Sequence, residues 1–296
     1  MMRFPKVSIC IPAYKSTNSL QRLLDSILIQ SFTNYEIVIS DDTPDESVLS
    51  LVESYSDSRI RIYHNTSSLG SPENWNHAVQ HASGDIIKIM HHDDWFSSGL
   101  ALERMVSVME EKEADILFVQ SRNQNAEVVL SVNAPNEKDI NEMKDHPFSL
   151  FFKNIIGAPS ATLYKRKDLK FDRNLRWFVD VDFYSSMIAS GAKIAYLPEE
   201  LICIGVDGPR VTNEYQSNFA NIAQEFFYSW SKCRKDGRLP IVESYYWLYR
   251  FLKEHETLGF RAFLPFMNVF TIPVALALWI ILKIKTSYSL IKKRLF

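Results

Sequence analysis

Short β-branched runs and helical stretches take turns from the start of this chain, and that alternation limits the folds open to it. "VSICIP" (7–12) leads into "STNSLQRLLDSILIQ" (16–30), "YEIVISDD" (35–42), "PDESVLSLVESY" (44–55) and "RIRIYHN" (59–65). Strand, helix, strand repetition predicts a parallel sheet with helices packed against it. A helix over "SPENWNHAVQHASG" (71–84) follows, with Ser71 as its cap, Pro72 at its first position and Gly84 as its stop. "DIIKIM" (85–90) is then a fourth strand that ends on "HHDD" (91–94).

Further on, "SGLALERMVSVMEEKEA" (98–114) predicts an amphipathic helix and "DILFVQS" (115–121) a fifth strand. Residues 122–146 are polar and poorly periodic, the composition of a loop or edge hairpin over a site. A second group of elements begins at "PFSLFFKN" (147–154). It continues through "SATLYKR" (160–166), a helix at "DVDFYSSMIASG" (180–191) and two short strands, "KIAYLP" (193–198) and "LICIG" (201–205). From 213 to 256 the pattern is helical and rich in aromatics, and no internal repeat is present.

At 296 residues and 46% hydrophobic, the chain can bury one good core plus an appendage. A net charge of −2 argues against nucleic acid as a partner, because phosphate contacts demand clustered Lys and Arg. The three cysteines, Cys10, Cys203 and Cys233, are too few and too far apart for a disulfide framework or a metal knuckle, which points to a reducing cytoplasm. The N-terminal apolar run is too short for a secretory leader.

In an open parallel sheet, ligands bind beyond the carboxyl ends of the strands. Three such ends carry polar residues here: "IPAY" (11–14), "SDD" (40–42) and "HHDD". Neither a GxxxxGK nor a GxGxxG loop follows the first strand, so a nucleotide diphosphate would need another holder, and adjacent carboxylates with a divalent cation would serve. Alternation along an extended strand would keep the four "HHDD" side chains from sharing one zinc ion.

Four segments in order, "VSICIPAYKSTNSLQRLLDSILIQSFTNYEIVISDDTPD", "GSPENWNHAVQHASGDIIKIMHHDDW", "IGAPSATLYKRKDL" and "FVDVDFYSSMIASG", resemble the landmarks of family 2 glycosyltransferases with the GT-A fold, over residues 5 to 212. The resemblance is greatest to bacterial enzymes of O-antigen, capsule or exopolysaccharide assembly. It implies an α/β GT-A (Rossmann-like) domain with a mixed, mainly parallel sheet flanked by helices. This domain would span 1–212, with a nucleotide-sugar half over 1–121 and an acceptor half over 122–212.

By the same resemblance, Pro12, Ala13 and Tyr14 cradle the base and ribose, and Asp42 reads the base. Asp94 ligates Mn²⁺ or Mg²⁺, and Asp93 contacts the ribose or sugar. His92 stands first in the DXD position, a departure from the commoner acid. Asp180 is the catalytic base, with Val179 in place of the usual preceding glutamate. Asp207 falls where relatives carry a metal-binding histidine. His92, Trp95, Trp177 and Asp182 are weaker candidates for sugar or acceptor contact. The implied reaction is an inverting, metal-dependent transfer from a nucleotide sugar, a UDP-sugar, to a glycan acceptor.

The bottom-up reading leaves alternatives open. Asp41 and Asp42 could only cap a turn, and Asp180 and Asp182 could only complement a helix dipole. A sugar nucleotidyltransferase would share a similar sheet but normally opens with a Gly-rich loop. A noncatalytic scaffold would need neither Asp94 nor Asp180.

The segment 262–282, "AFLPFMNVFTIPVALALWIIL", carries no charge and is long enough to count as a membrane-span candidate. Pro265 and Pro273 interrupt it, and the tail beyond holds Lys283, Lys285, Lys292, Lys293 and Arg294 without an acid. The expectation is therefore a helical extension over 213–258 and an in-plane or re-entrant anchor over 259–296. That anchor would sit on the cytoplasmic membrane face with its basic tail on anionic head groups. A buried helix or an oligomer contact is the alternative. A membrane-seated enzyme in turn suggests a polyprenyl-diphosphate-linked acceptor.

Overall fold

The computed structural model describes residues 5–125, 128–167, 170–206 and 218–295, with side chains through 286. The chain divides into two compact units, Met1–Arg210 and Val211–Phe296.

In the first unit, β1 (Val7–Ala13), β2 (Tyr35–Asp41), β3 (Ile60–His64) and β4 (Ile86–Ile89) form the parallel half of one sheet. Every residue of β1 and β2 is buried, as expected of strands covered on both faces. β5 (Trp95–Phe96), β6 (Ile116–Gln124), β7 (Val129–Asn133), β8 (Thr162–Lys165) and β9 (Ile194–Gly205) complete it. The strand order is β3-β2-β1-β4-β8-β6-β9-β5, with β7 paired to β6. β8 runs antiparallel to both β4 and β6, so the sheet is mixed.

The helices are α1 (Thr17–Leu28), α2 (Ser47–Ser54), α3 (Glu73–Gln80), α4 (Ala101–Glu111), α5 (Glu137–Asp145) and α6 (Val179–Ala189). α1 buries Leu20, Leu23, Leu24 and Ile27, and α4 buries Leu102, Met105, Val106 and Met109. Both sets follow the i, i+3, i+4, i+7 stripe of a helix laid on a core. These side chains join Ile9, Ile11, Ile37 and Ile39 in one hydrophobic cluster.

Several local expectations give way to tertiary contacts. Ser71 does not cap α3: Pro72 occupies the N-cap position and no side-chain cap forms. Gly84 does not stop α3, which ends at Gln80. A Cβ on Gly84 would lie 2.8 Å from Ser8 N, so glycine permits the close approach of this loop to β1. The stretch 122–146 does contain the expected edge hairpin, the end of β6 with the antiparallel β7, but adds the helix α5, whose cap is Asn136 Oδ1 accepting from Asp139 N. The two short strands expected at 193–205 are one twelve-residue strand, β9, whose pairing with β6 shifts register after Val119 and Gln120.

In the second unit, α7 (Phe219–Lys235) and α8 (Ile241–Glu254) bury Phe226, Trp230, Trp247 and Phe251, with Phe226 and Phe251 stacked at 3.8 Å. The apolar segment 262–282 is not one helix. A 3-10 helix (Phe260–Phe266) with Pro265 inside it is followed by α9 (Thr271–Leu295). Among the described residues, no helix is long and apolar enough to cross a membrane. Asn268 caps the start of α9 through its side chain, and Pro273 sits in the first turn, where its missing N–H is tolerated.

Candidate functional site

The carboxyl ends of the parallel strands meet in a continuous set of contacts. Ala13 O, at the end of β1, accepts from Asp42 N (3.0 Å) and from Asn74 Nδ2 (3.2 Å). Tyr14 is exposed beyond this point, with Lys15 Nζ 4.9 Å above its ring, while Pro12 and Ala13 stay buried in the sheet. Asp42 is itself buried and takes four donors from one loop. Its Oδ1 accepts from Asn65 Nδ2 (2.8 Å) and Leu69 N (3.0 Å), and its Oδ2 from Ser68 Oγ (3.2 Å) and Gly70 N (2.8 Å). Asp41 serves the turn instead, accepting from Thr43 N and pairing with His64 Nδ1 at 2.8 Å.

Beyond Ile89 the chain leaves the strand and turns, so alternation does not separate the "HHDD" side chains. His91, Asp93 and Asp94 each offer a ligand atom within 4.8 Å of the others. His92, which stands first in the motif, is not in this group, and His91 is. Asp94 is buried, and its Oδ1 accepts from Gly205 N at 3.1 Å. Asp94 Oδ2 and His91 Nε2 are buried without a hydrogen bond. Two buried polar atoms without a hydrogen bond, in a cluster with the half-buried Asp93, are what a cation site requires, so the residues fit the expected divalent ion. Carboxylate oxygens suit Mg²⁺ or Mn²⁺, and an imidazole nitrogen favours the transition ion.

The turn is held from several directions. Arg22 Nη2 donates to Asp93 O at 3.0 Å while its guanidinium stacks 3.7 Å over Trp95. Ser160 Oγ accepts from His91 N at 3.0 Å, and Trp75 packs against the His91 ring at 4.7 Å. Beneath lies Lys88, fully buried in β4, with Nζ donating to Ser160 O.

Burial dominates the electrostatics. It raises the Asp94 carboxyl well above the usual range, helped by Asp93 and opposed by Ser160, the Gly205 N–H and Lys88. Burial also depresses His91, which favours the neutral imidazole that a metal needs, and brings Lys88 down to about 7.

Asp180 stands in the first turn of α6, partly exposed. Asn154 Nδ2 donates to its Oδ2 (2.9 Å) and Val181 N to its Oδ1 (2.9 Å). Desolvation nevertheless pushes its pKa up to about 6, against those hydrogen bonds. Asn154 is fixed in turn by Gly157, whose N–H donates to Asn154 Oδ1 at 3.0 Å. Residues 154–160 thus touch Asp180 at one end and His91 at the other, as Asn74 and Trp75 link the Asp42 niche to His91.

Asp182 lies in the first turn of α6 and is buried, with its main-chain carbonyl accepting from Ser186 Oγ. Trp177 is half-buried just before the same helix, and Asp207 lies outside the described residues. Sequence reasoning missed Asn154, Ser160 and Gly205. Only the glycines left a trace, since the chain has nine in 296 residues and one of them closes "LICIG".

A mixed sheet with a carboxylate and imidazole cluster at its parallel-strand ends, and a helix-borne acid across the same contacts, places the chain among α/β folds with a candidate site at the carboxyl edge of the sheet. Residues 8–171 match the description "Glycosyl transferase family 2". The chain belongs to that family and carries its GT-A fold.

Over 113 residues it is 29% identical to "UDP-Glc:alpha-D-GlcNAc-diphosphoundecaprenol beta-1,3-glucosyltransferase WfgD" of Escherichia coli, covering 38% of this chain and 44% of that one. It is similar in fold to Staphylococcus aureus TarS 1–349 in complex with UDP-GlcNAc, with a TM-score of 0.64 and 18% identity over 92% of this chain and 79% of that one. The mannosyltransferase of Pyrobaculum calidifontis in complex with GDP-Man and Mn²⁺ is also similar, with a TM-score of 0.55 and 17% identity over 94% and 74% of the two chains. The chain spans 66%, 60% and 44% of the lengths of three curated relatives it matches.

Proposed function

We propose that this protein is an inverting glycosyltransferase that moves a hexosyl or N-acetylhexosaminyl group from a UDP-sugar to a lipid-linked glycan acceptor in bacterial surface polysaccharide assembly. The observation that carries it is the run of contacts joining Asp42, the His91–Asp93–Asp94 turn and Asp180 in one folded unit.

Tyr14 and Asp42 bound the niche for base and ribose. Asp42 acts there by holding the loop 65–70 as the wall of that niche as well as by any contact of its own. Asp93 and Asp94, with His91, would hold Mn²⁺ or Mg²⁺. An ion held there would supply Lewis-acid neutralisation of the departing diphosphate. Asp180 accepts the proton of the acceptor hydroxyl as that oxygen bonds to the anomeric carbon and the bond to the diphosphate oxygen breaks. A pKa near 6 keeps Asp180 ionised at neutral pH yet basic enough to take the proton. The name of the Escherichia coli relative, which specifies a diphosphoundecaprenol-linked acceptor, supports the lipid-linked reading.

The second unit supports work at a membrane surface. Leu276, Ile280 and Ile284 are exposed at four-residue intervals on α9, below the exposed Val269 and Phe270 and beside Lys283 and Lys285. An apolar stripe flanked by cations is the pattern of a helix lying in an anionic interface.

Titration of UDP, GDP and UDP-sugars by calorimetry, with and without Mn²⁺, tests the reading. Metal-dependent binding of one nucleotide, lost on Asp94→Ala, is expected; a folded protein that binds none of them would refute it.

A further inference from the structure

We propose that Tyr184 is a positioning residue for transfer: its hydroxyl pins the loop 154–157 onto α6, and the pinned loop keeps Asn154 aimed at Asp180. The inference rests on Asp180 as the base, proposed above, and adds what holds that base in its working state.

Asp180 and Tyr184 stand one helical turn apart in α6, at i and i+4, so their side chains leave the same face. The loop meets that face at both positions. Asn154 Nδ2 donates to Asp180 Oδ2 at 2.9 Å, and Tyr184 Oη donates to Gly157 O at 3.1 Å. Inside the loop, Gly157 N donates to Asn154 Oδ1 at 3.0 Å, and Asn154 Nδ2 also reaches Gly157 O at 3.3 Å. Asp180, Asn154, Gly157 and Tyr184 thus close a ring of hydrogen bonds through the helix.

The carbonyl of Gly157 is the pivot of that ring. Gly157 has a φ of +86°, a left-handed conformation that glycine adopts without strain, and a Cβ there would lie 2.8 Å from Asn133 Nδ2. With the phenol present, Gly157 O has a donor from α6 as well as one from its own loop. Without it, the Asn154 amide is left to serve both that carbonyl and Asp180.

Tyr184 is suited to be a fixed post. It is fully buried, with its ring stacked 6.5 Å from that of Tyr164 and set edge-on to Phe183. The far end of the same segment is fixed at Ser160, whose Oγ accepts from His91 N and whose carbonyl accepts from Lys88. One short stretch of chain therefore runs from the metal turn to the base, held by His91, Tyr184 and Asp180 in turn. The phenols that feel the Asp180 charge, Tyr184 and Tyr164, both have their pKa raised by burial, so both stay neutral while Asp180 titrates.

The test is Tyr184→Phe in the full chain, which keeps the ring and deletes only the hydroxyl. The Asp180 carboxyl is followed by NMR of carbonyl-labelled aspartate, with Asp180→Asn to assign it, and the Gly157 amide by hydrogen exchange. The Asp180 titration is expected to move up by about one pH unit, the size of one weakened hydrogen bond to a carboxylate, and Gly157 protection to fall. For UDP release from UDP-glucose or UDP-GlcNAc, kcat should drop roughly 10–100-fold at unchanged KM, with the ascending limb of the pH profile following the titration. Asn154→Ala should shift the titration the same way, and adding Tyr184→Phe to it should shift it no further. Titration and protection at their wild-type values in Tyr184→Phe, or shifts that add in the double variant, would overturn the proposal. An Asp180 titration that moves while the pH profile of turnover stays in place would overturn Asp180 as the base, and with it the role of Tyr184 in transfer, while the clamp itself stood, so the two failures are distinguishable.

Discussion

The amide of Gly205 donates to Asp94 Oδ1 at 3.1 Å across 111 positions of sequence, and this contact ties the last strand of the sheet to the proposed metal turn. A Cβ at position 205 would stand 2.2 Å from Asp93 O and 3.2 Å from Arg22 Nη2. The first of these is backbone and cannot swing aside.

Gly205→Ala is therefore expected to displace the turn and destabilise the fold by about 1–3 kcal/mol, the range for overpacking a tight site. Denaturant unfolding measures the loss, and Mn²⁺ affinity should fall with it. Retention of wild-type stability and metal affinity together would contradict the geometry.

Asp180→Asn should reduce transfer by about 10²–10⁴-fold, the contribution typical of a positioned base, and leave UDP binding as it was. With the Asp180 pKa near 6, the protonated form below that pH cannot accept a proton. The rate should thus rise with pH through about 6 and level off above it.

Asn154→Ala removes a hydrogen bond that favours the ionised form of Asp180. Loss of that donor raises the Asp180 pKa further, so the ascending limb of the pH profile should move to higher pH. A limb that stays in place while the plateau falls would mean that Asn154 only positions the acid.

Asp42→Ala deprives four donors of the 65–70 loop of their shared acceptor. Hydrogen bonds to a charged group contribute about 1.5–3 kcal/mol each to local order, less where water replaces the acceptor. UDP affinity should drop along with hydrogen-exchange protection at Leu69 and Gly70. Lost affinity with protection intact would instead mark Asp42 as a direct base contact alone.

On the second unit, replacing Leu276, Ile280 and Ile284 with serine should abolish cosedimentation with anionic vesicles and spare UDP binding. Unchanged cosedimentation would move the membrane contact away from α9.

Much of this architecture was legible in the linear chain. The alternating apolar runs announced the strands and helices, because periodicity and turn chemistry act over a few residues. The acids at the strand ends stood out for the same reason, whereas Asp180, in the first turn of α6, was singled out by the family resemblance. The prolines at 265 and 273 likewise foretold that the uncharged segment would break. Only the tertiary structure decided that His91 rather than His92 joins Asp93 and Asp94, because the strand ends at Ile89 and the turn that follows is set by Arg22, Ser160 and Gly205. It also decided that Asp42 anchors a loop, that Asn154 holds Asp180, and that β9 is one strand. Each of these depends on atoms brought together from distant parts of the sequence, and local pattern carries no record of such meetings.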